Sequence, residues 1–181
     1  MTARPFIAAF DIASAVGGCD GIVGAHPRVW TWFLEDGGKS RPLKLCYFRR
    51  LLDTYFSEVH VDAVYYEEPM NLRTMMRIGT AEGVISMLRG LIGVIESSAV
   101  HHGITVVEPI NVQDARQALT GKRTFKRVKG KSTAKDAIID TARMMGVSVA
   151  TEHEADAFAV WWYSCAKFNP RIAHLSQPLF A

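Results

Sequence analysis

Acidic residues at three separate places in this 181-residue chain could bind divalent cations. Asp11 ends an apolar run that begins at Pro5, and the pair Glu67 and Glu68 ends a second apolar run. The third place is the acidic segment 152–156, at the start of a predicted helix. Carboxylate oxygens are the ligands that Mg²⁺ prefers in proteins, so these positions are candidates for a magnesium site.

Carboxylates that converge from distant parts of a chain are typical of two-metal phosphodiester hydrolysis. Two ions about 3.5–4 Å apart activate an attacking water and stabilise the leaving oxygen. Each acid alone also has an ordinary explanation. An Asp after a strand is usually a turn residue, and acids in the first turn of a helix favour the helix dipole. The occurrence of all three in one chain favours the cation site.

The elements that must position these acids follow from hydrophobic periodicity. The predicted strands are 5–11, 22–23, 29–34, 62–67 and 104–107, and the predicted helices are 43–59, 79–102, 111–119, 132–145 and 152–167. The glycine-rich stretch 17–21 predicts a turn. Strands that come first and then alternate with helices are typical of an α/β fold, with a mixed central sheet of about five strands flanked by helices. In such sheets, ligand sites lie beyond strand ends.

The chain length suits a single domain spanning residues 1–181, with 168–181 as a C-terminal tail. Three well-separated cysteines without a CxxC pair disfavour a zinc–thiolate site and a disulfide framework, which fits a reducing cytoplasm. Asp11 interrupts the N-terminal apolar run, which disfavours a signal peptide. Charged residues interrupt segment 79–100, so it lacks the roughly 20 apolar residues of a membrane span. We therefore expect a cytoplasmic protein without a membrane segment.

Basic residues are concentrated between positions 122 and 135, although the net charge of the chain is only +3. Seven of the 21 Lys and Arg residues lie here without an intervening acid: Lys122, Arg123, Lys126, Arg127, Lys129, Lys131 and Lys135. Basic clusters bind phosphates and release counterions, but a solvated loop is equally compatible with the charge alone. Arg73 and Arg77, one helical turn apart, form a second candidate phosphate-binding pair.

Four segments, taken together, resemble the RuvC family of Holliday junction resolvases within the RNase H-like superfamily. They are Phe6–Asp11, Val64–Pro69, Gln113–Lys122 followed by Lys131–Asp136, and His153–Val160, and they follow the family order. The resemblance implies an RNase H-like fold and Mg²⁺-dependent cleavage of four-way and other branched DNA, with Mn²⁺ as a substitute. It also implies products with a 5′-phosphate and a 3′-hydroxyl. The compact chain is most similar to phage and viral members.

The resemblance also implies that Asp11, Glu67, His153 and Asp156 form the catalytic and metal-binding set. His153 stands where many members have Asp. Imidazole is a poor ligand for Mg²⁺, so His153 could instead contact the substrate phosphate or transfer a proton. Adjacent strand residues face opposite sides, so one of Glu67 and Glu68 is expected in the site, and the family register favours Glu67. The segment 12–15 departs from the turn that many members have after the first Asp.

RuvC-like resolvases act as homodimers, and helix 79–102 carries Gly83, Gly90 and Gly93. These small residues would let either a second copy of the helix or the protein's own sheet approach closely. Two other functions remain open: a flap or general RNase H-like nuclease, and a branched-DNA-binding protein that has lost catalysis through His153. An actin-like ATP-binding protein is disfavoured because the chain lacks glycine-rich phosphate loops at strand ends.

Overall fold

A five-stranded mixed sheet forms the centre of the computed structural model, which describes residues 4–123, 125 and 133–168. The sheet order is β3-β2-β1-β4-β5. The strands are β1 (Phe6–Ile12), β2 (Ala15–Ile22), β3 (Arg28–Phe33), β4 (Ala63–Glu67) and β5 (Val106–Ile110). β1, β4 and β5 are parallel, whereas β2 is antiparallel to β1 and β3. The prediction of a mixed sheet of about five strands is confirmed.

Helices cover both faces of the sheet. They are α1 (Arg41–Glu58), α2 (Leu72–Arg77), α3 (Glu82–His101), α4 (Val112–Thr120), α5 (Thr133–Met144) and α6 (Glu152–Phe168). On one face, Ile7 and Ala9 of β1 pack in a core that includes Phe158 of α6. On the other face, Ala8 and Phe10 pack in a core built with α1 and α3. Alternate residues of β1 therefore enter different cores, which explains its continuous apolar run.

Strand β2 is the place where the sequence prediction was wrong. The glycine-rich stretch predicted as a turn pairs with both β1 and β3, and Ile22 is its last residue rather than the start of a new strand. A Cβ atom at Gly17 would overlap the backbone carbonyl of His153 in α6, and one at Gly18 would overlap the ring of Trp30. These glycines permit close packing within a strand instead of forming a turn.

The last strand also differs from its predicted position. We predicted residues 104–107, with Glu108 and Pro109 as the end, but β5 extends from Val106 to Ile110 and contains Pro109. Proline lacks the backbone N–H that an interior strand donates, so it is tolerated on an edge strand. β5 is the edge of this sheet, which explains why it accommodates Pro109. The shift moves the end of β5 closer to α4.

The glycines of α3 were expected to allow close approach of either a second copy of the helix or the protein's own sheet. A Cβ at Gly90 would lie 2.9 Å from Leu45 of α1, so this glycine allows close contact between two helices. A Cβ at Gly83 or Gly93 would meet no neighbouring atom within 4 Å. The three glycines therefore do not hold α3 against the sheet, and their use in contact with a second copy of the helix stays a prediction.

Helix α3 is, among the described residues, the one helix whose length and composition would allow it to cross a membrane. Core helices of globular proteins meet the same criteria. Ile85, Leu91 and Ile95 of α3 are buried within the protein. The predicted C-terminal tail lies outside the described residues beyond Phe168.

We predict that Gly17→Ala destabilises the protein by about 1–3 kcal/mol or more, because an overpacked side chain must displace the backbone of α6. Gly93→Ala is the matched control. Its added methyl group meets no neighbour, and removing a helix-interior glycine should stabilise the fold by about 0.5–1 kcal/mol. Urea unfolding of both variants measures the difference. Equal stabilities would contradict the assigned role of Gly17.

Candidate active site

The carboxyl ends of β1 and β4 place two acids side by side. Phe10 pairs with Tyr66 in the parallel register, so Asp11 and Glu67 are the next residues on the two strands. Asp11 is only 7% exposed. Glu67 is partly buried, whereas the adjacent Glu68 is exposed to solvent. The structure therefore places Glu67, and not Glu68, beside Asp11.

The beginning of α6 is fixed against the sheet by a network around Glu154. The Thr151 hydroxyl accepts a hydrogen bond from the backbone N–H of Glu154 at 3.1 Å, which caps the helix. The Glu154 carboxylate accepts from the backbone N–H of Ala150 at 2.7 Å and from the Thr31 hydroxyl of β3 at 3.0 Å. Glu154 is therefore buried for a structural reason and holds the first turn of α6 in place.

The first turns of α6 direct His153 and Asp156 toward the strand-end acids. His153 Nδ1 donates a hydrogen bond to Asp11 Oδ2 at 2.7 Å. Asp156 is 6% exposed and lies close enough for its charge to act on both Asp11 and Glu67. All four residues of the predicted set thus meet at the carboxyl ends of β1 and β4. Their catalytic and metal-binding roles stay a prediction.

Like charges make this cluster unfavourable unless a cation or a proton is present. Burial, followed by the negative charges of Asp11 and Asp156, raises the pKa of Glu67 to about 9. Burial also raises the pKa of Asp156, against the opposing influence of Arg116. The hydrogen bond to Asp11 raises the pKa of His153. The protein alone therefore stabilises the cluster by keeping a proton on Glu67 and favouring the imidazolium form of His153.

Arg116 is a site residue that the sequence analysis missed. It extends from α4, and its Nη2 lies 3.3 Å from Asp156 Oδ1 and 3.5 Å from Oδ2. Its Nε is buried without a hydrogen-bond partner among the described residues. The available signal was that Arg116 is the one cationic residue in α4. A guanidinium beside a carboxylate cluster offsets part of its negative charge, and its planar donors match carboxylate and phosphate oxygens alike.

The donor chemistry of the cluster fits Mg²⁺. Asp11, Glu67 and Asp156 supply hard carboxylate oxygens, and burial together with the two neighbouring acids raises the pKa of Glu67, which a bound cation would counteract. Within the described ranges, however, no group of three or more His, Cys, Asp or Glu side chains has the spacing of a preformed metal site. Asp11 and Asp156 are instead engaged by His153 and Arg116, so cation binding would have to replace these contacts.

The predicted DNA-binding residues fall into four groups. Arg73 and Arg77 are exposed on α2, which follows Glu67 in the chain. Lys122 is exposed, and Arg123 forms an ion pair with Asp114 at 3.1 Å. Lys135 of α5 forms an ion pair with Glu152 at 2.6 Å, next to His153. The other four, Lys126, Arg127, Lys129 and Lys131, lie outside the described residues.

Comparison with known proteins shows the fold. No family model matches the chain, and no curated protein matches it. The structure of Thermus thermophilus RuvC is similar with a TM-score of 0.64 and 16% identity, covering 92% of this chain and 96% of that one. T. thermophilus RuvC in complex with a Holliday junction substrate gives a TM-score of 0.61 at 15% identity, with coverages of 93% and 96%.

A third structure extends this similarity to a eukaryotic protein. The yeast mitochondrial Holliday junction resolvase Ydc2 gives a TM-score of 0.56 at 11% identity, covering 96% of this chain and 84% of that one. The structural neighbours are thus RuvC-type resolvases, and the predicted RNase H-like α/β fold is confirmed. At these identities the likeness establishes the fold, and the activity has to be argued from the site.

We predict that the protein loses stability in chelator as pH rises from about 4.5 to about 9, and that Glu67→Gln removes much of this loss. The pKa of Glu67 is raised from 4.5 to about 9 by folding. A group whose pKa is higher in the folded than in the unfolded state stabilises the fold fully at pH values below its unfolded-state pKa. This contribution is lost as the pH rises through its folded-state pKa. Thermal unfolding across this pH range measures the slope.

Glu68→Gln is the matched control, because Glu68 is the exposed neighbour on the same strand end. It should keep the slope of the unmodified protein. Added Mg²⁺ should raise the melting temperature of the unmodified protein at high pH, because a cation that binds only the folded state stabilises it. Identical slopes of stability against pH for the two variants would contradict the raised pKa assigned to Glu67.

Proposed function

We propose that this protein is a metal-dependent, structure-selective endodeoxyribonuclease that resolves four-way DNA junctions and cuts other branched DNA. The observation that carries the proposal is a convergence of four side chains at the carboxyl ends of β1 and β4: Asp11, Glu67, His153 and Asp156. The neighbours with the same fold include a RuvC bound to a Holliday junction substrate. Fold and site together favour phosphodiester hydrolysis over the other chemistries that carboxylate clusters perform.

In this proposal Asp11, Glu67 and Asp156 hold Mg²⁺, for which Mn²⁺ substitutes. The ions supply activation of water and stabilisation of the leaving oxygen. The side chains hold this charge in a fixed place, because the strand ends and the first turns of α6 are rigid elements. His153 uses Nδ1 to contact Asp11, which leaves Nε2 to bind a phosphate oxygen or transfer a proton.

Cationic side chains around the cluster would bind the DNA backbone. Arg116 and Lys135 border the site, and each is paired with an acid, Asp156 and Glu152 respectively. A phosphate group can replace the carboxylate in such a pair, because both anions match the same donors. Arg73 and Arg77 on α2, together with the basic segment 122–135, would contact the arms of the junction.

We further propose that the protein acts as a homodimer, because a junction is resolved by two symmetrical cuts. The region around α2 and the start of α3 exposes large apolar side chains, with Met76, Ile78 and Val84 being 65%, 58% and 50% exposed. Large apolar side chains that are exposed close together mark interaction surfaces, and we propose that these three belong to the dimer interface. Light scattering that gives only the monomer mass, with and without junction DNA, would contradict the dimer.

Binding of branched DNA without cleavage is the second candidate function. It is favoured by the contacts that already engage two of the acids, since Asp11 accepts a hydrogen bond from His153 and Asp156 is paired with Arg116. A flap or hybrid nuclease would use the same residues and differs only in substrate. The proposed cytoplasmic location rests on the sequence alone.

We predict that the protein cuts a labelled four-way junction in Mg²⁺ or Mn²⁺ but not in chelator. Asp11→Asn, Glu67→Gln and Asp156→Asn should each reduce the rate at least about 100-fold, since loss of even an outer partner of a metal ligand costs about 10–100-fold. Gel analysis of junction, flap, duplex and hybrid substrates measures rate and selectivity.

Glu68→Gln is again the control and should cleave within a few-fold of the unmodified protein. Preferred cleavage of flap or hybrid substrates would replace the junction proposal with a related nuclease. Junction binding without cleavage in either metal would favour the second candidate function. Full activity of Glu67→Gln would show that the carboxylate cluster is not the active site.

We predict that the triple variant with Gln at Lys126, Arg127 and Lys129 binds junction DNA more weakly and with a flatter salt dependence. The slope of log affinity against log salt is negative, and it becomes less steep by about 0.9 for each lost phosphate contact. The loss of three contacts therefore reduces its magnitude by about 2.7. Fluorescence anisotropy across a salt series measures this slope. An unchanged slope would show that this segment does not contact phosphates.

A further inference from the structure

The two edges of the sheet differ in their protection against pairing with another strand. At one edge, β5 carries Pro109, which has no backbone N–H to donate, and an exposed charge on Glu108. At the other edge, β3 contains no proline, and Arg28 is its one charged residue. Among the described residues, β3 pairs with β2 alone. Because proteins usually block open edges with proline or charge, β3 is the edge suited to receive a further strand.

A groove of about 410 Å³ runs beside β3, on the face that packs against α1. Trp30 and Trp32 of β3 form one wall, and both are partly exposed. The opposite wall comes from the second half of α1 and includes Leu51, Thr54 and Glu58. The groove therefore places apolar contact area directly next to the outer backbone of β3.

Contacts within the protein fix the shape of the groove. The ring centroids of Trp30 and Trp32 lie 5.6 Å apart, and that of Trp30 lies 5.4 Å from that of Tyr55 in α1. The Tyr55 hydroxyl donates to the buried carboxylate of Asp20 at 2.7 Å. The Arg28 guanidinium donates to the same carboxylate at 2.6 and 3.1 Å. A partner would therefore meet ordered side chains, so its binding loses little free energy to their rearrangement.

Charge determines which kind of chain fits the groove. The side chain of Arg28 is 60% exposed, and a guanidinium has five N–H groups, so donors remain after two bond to Asp20. One carboxylate on an added strand, directly opposite Arg28, would complement this charge. Glu58 is exposed on the α1 wall and disfavours a run of negative charge. A peptide with a single acid therefore fits better than the polyanionic backbone of DNA.

We propose that the β3 edge and the groove beside it bind an extended segment of a partner protein by β-strand addition. The added strand runs antiparallel to β3. It carries apolar side chains opposite Trp32 and Trp30, at alternate positions, and an acidic side chain opposite Arg28. Main-chain hydrogen bonds provide affinity, and the alternate side chains provide specificity. The groove residues differ from those of the carboxylate cluster, so this binding does not depend on the proposed nuclease function.

The test measures binding of fluorescein-labelled peptides by fluorescence anisotropy, without DNA or metal. The first peptide is Thr-Val-Thr-Val-Thr-Asp-Thr with both ends capped, and the second has Lys in place of Asp. The third has Pro at its third and fourth positions. The first should bind about five-fold more tightly than the second, because opposite charges attract across paired strands and like charges repel. The third should not bind, because proline removes main-chain donors.

Thr54→Trp places an indole in the groove and should weaken binding of the first peptide about ten-fold or more. Ser57→Trp is the matched control, because Ser57 is exposed on the same helix and does not line the groove. Arg28→Gln should make the first two peptides bind equally. Thermal unfolding of each variant identifies any that fails to fold, and Thr54→Trp remains a test if Arg28→Gln does so.

Failure of all three peptides to bind at millimolar concentration would overturn the inference, as would equal binding of the first peptide by the unmodified protein and Thr54→Trp. Displacement of the first peptide by an oligonucleotide of eight thymidines would assign the groove to nucleic acid instead. Light scattering that shows self-association of the unmodified protein, lost in Thr54→Trp and kept in Ser57→Trp, would assign the groove to a second copy of this chain. A cleavage assay that finds no nuclease activity would contradict the proposed function and leave the peptide result unchanged.

Discussion

Electrostatic repulsion among three carboxyl groups at the carboxyl ends of the central strands is the constraint on which the rest of the structure depends. Asp11, Glu67 and Asp156 are too buried for water to screen them fully. The protein compensates with the imidazole of His153, the guanidinium of Arg116 and a proton on Glu67. In the proposed function, each compensating contact would be released when a cation and a phosphate bind. Without them, contacts within the protein hold the cluster together.

Close packing between α6 and the sheet brings the parts of this cluster together. Gly17 pairs with Asp11 across β1 and β2, and its lack of a side chain leaves room for the backbone of His153. The hydrogen bond from Thr31 to Glu154 fixes the same turn from the neighbouring strand. Local backbone geometry and one buried structural acid thus determine where His153 and Asp156 of α6 lie.

Much of the site could be predicted because its signals are local in sequence. Apolar runs that end in acids identify strand ends, and parallel strand ends meet at one edge, which relates Asp11 to Glu67. The role of β2 could not be predicted, because glycine favours turns and close packing alike, and only the position of α6 decides between them. Arg116 was missed because its partner, Asp156, is 40 positions away.

The steric role of Gly17 has a consequence for how mutational data on this protein would be interpreted. A library of substitutions scored only by enzymatic output would rank position 17 with the acids, although glycine has no group that can act on a substrate. Scoring abundance of folded protein in parallel would separate the two classes. Carboxylate substitutions should leave folded protein in normal or increased amounts, whereas any larger side chain at position 17 should deplete it.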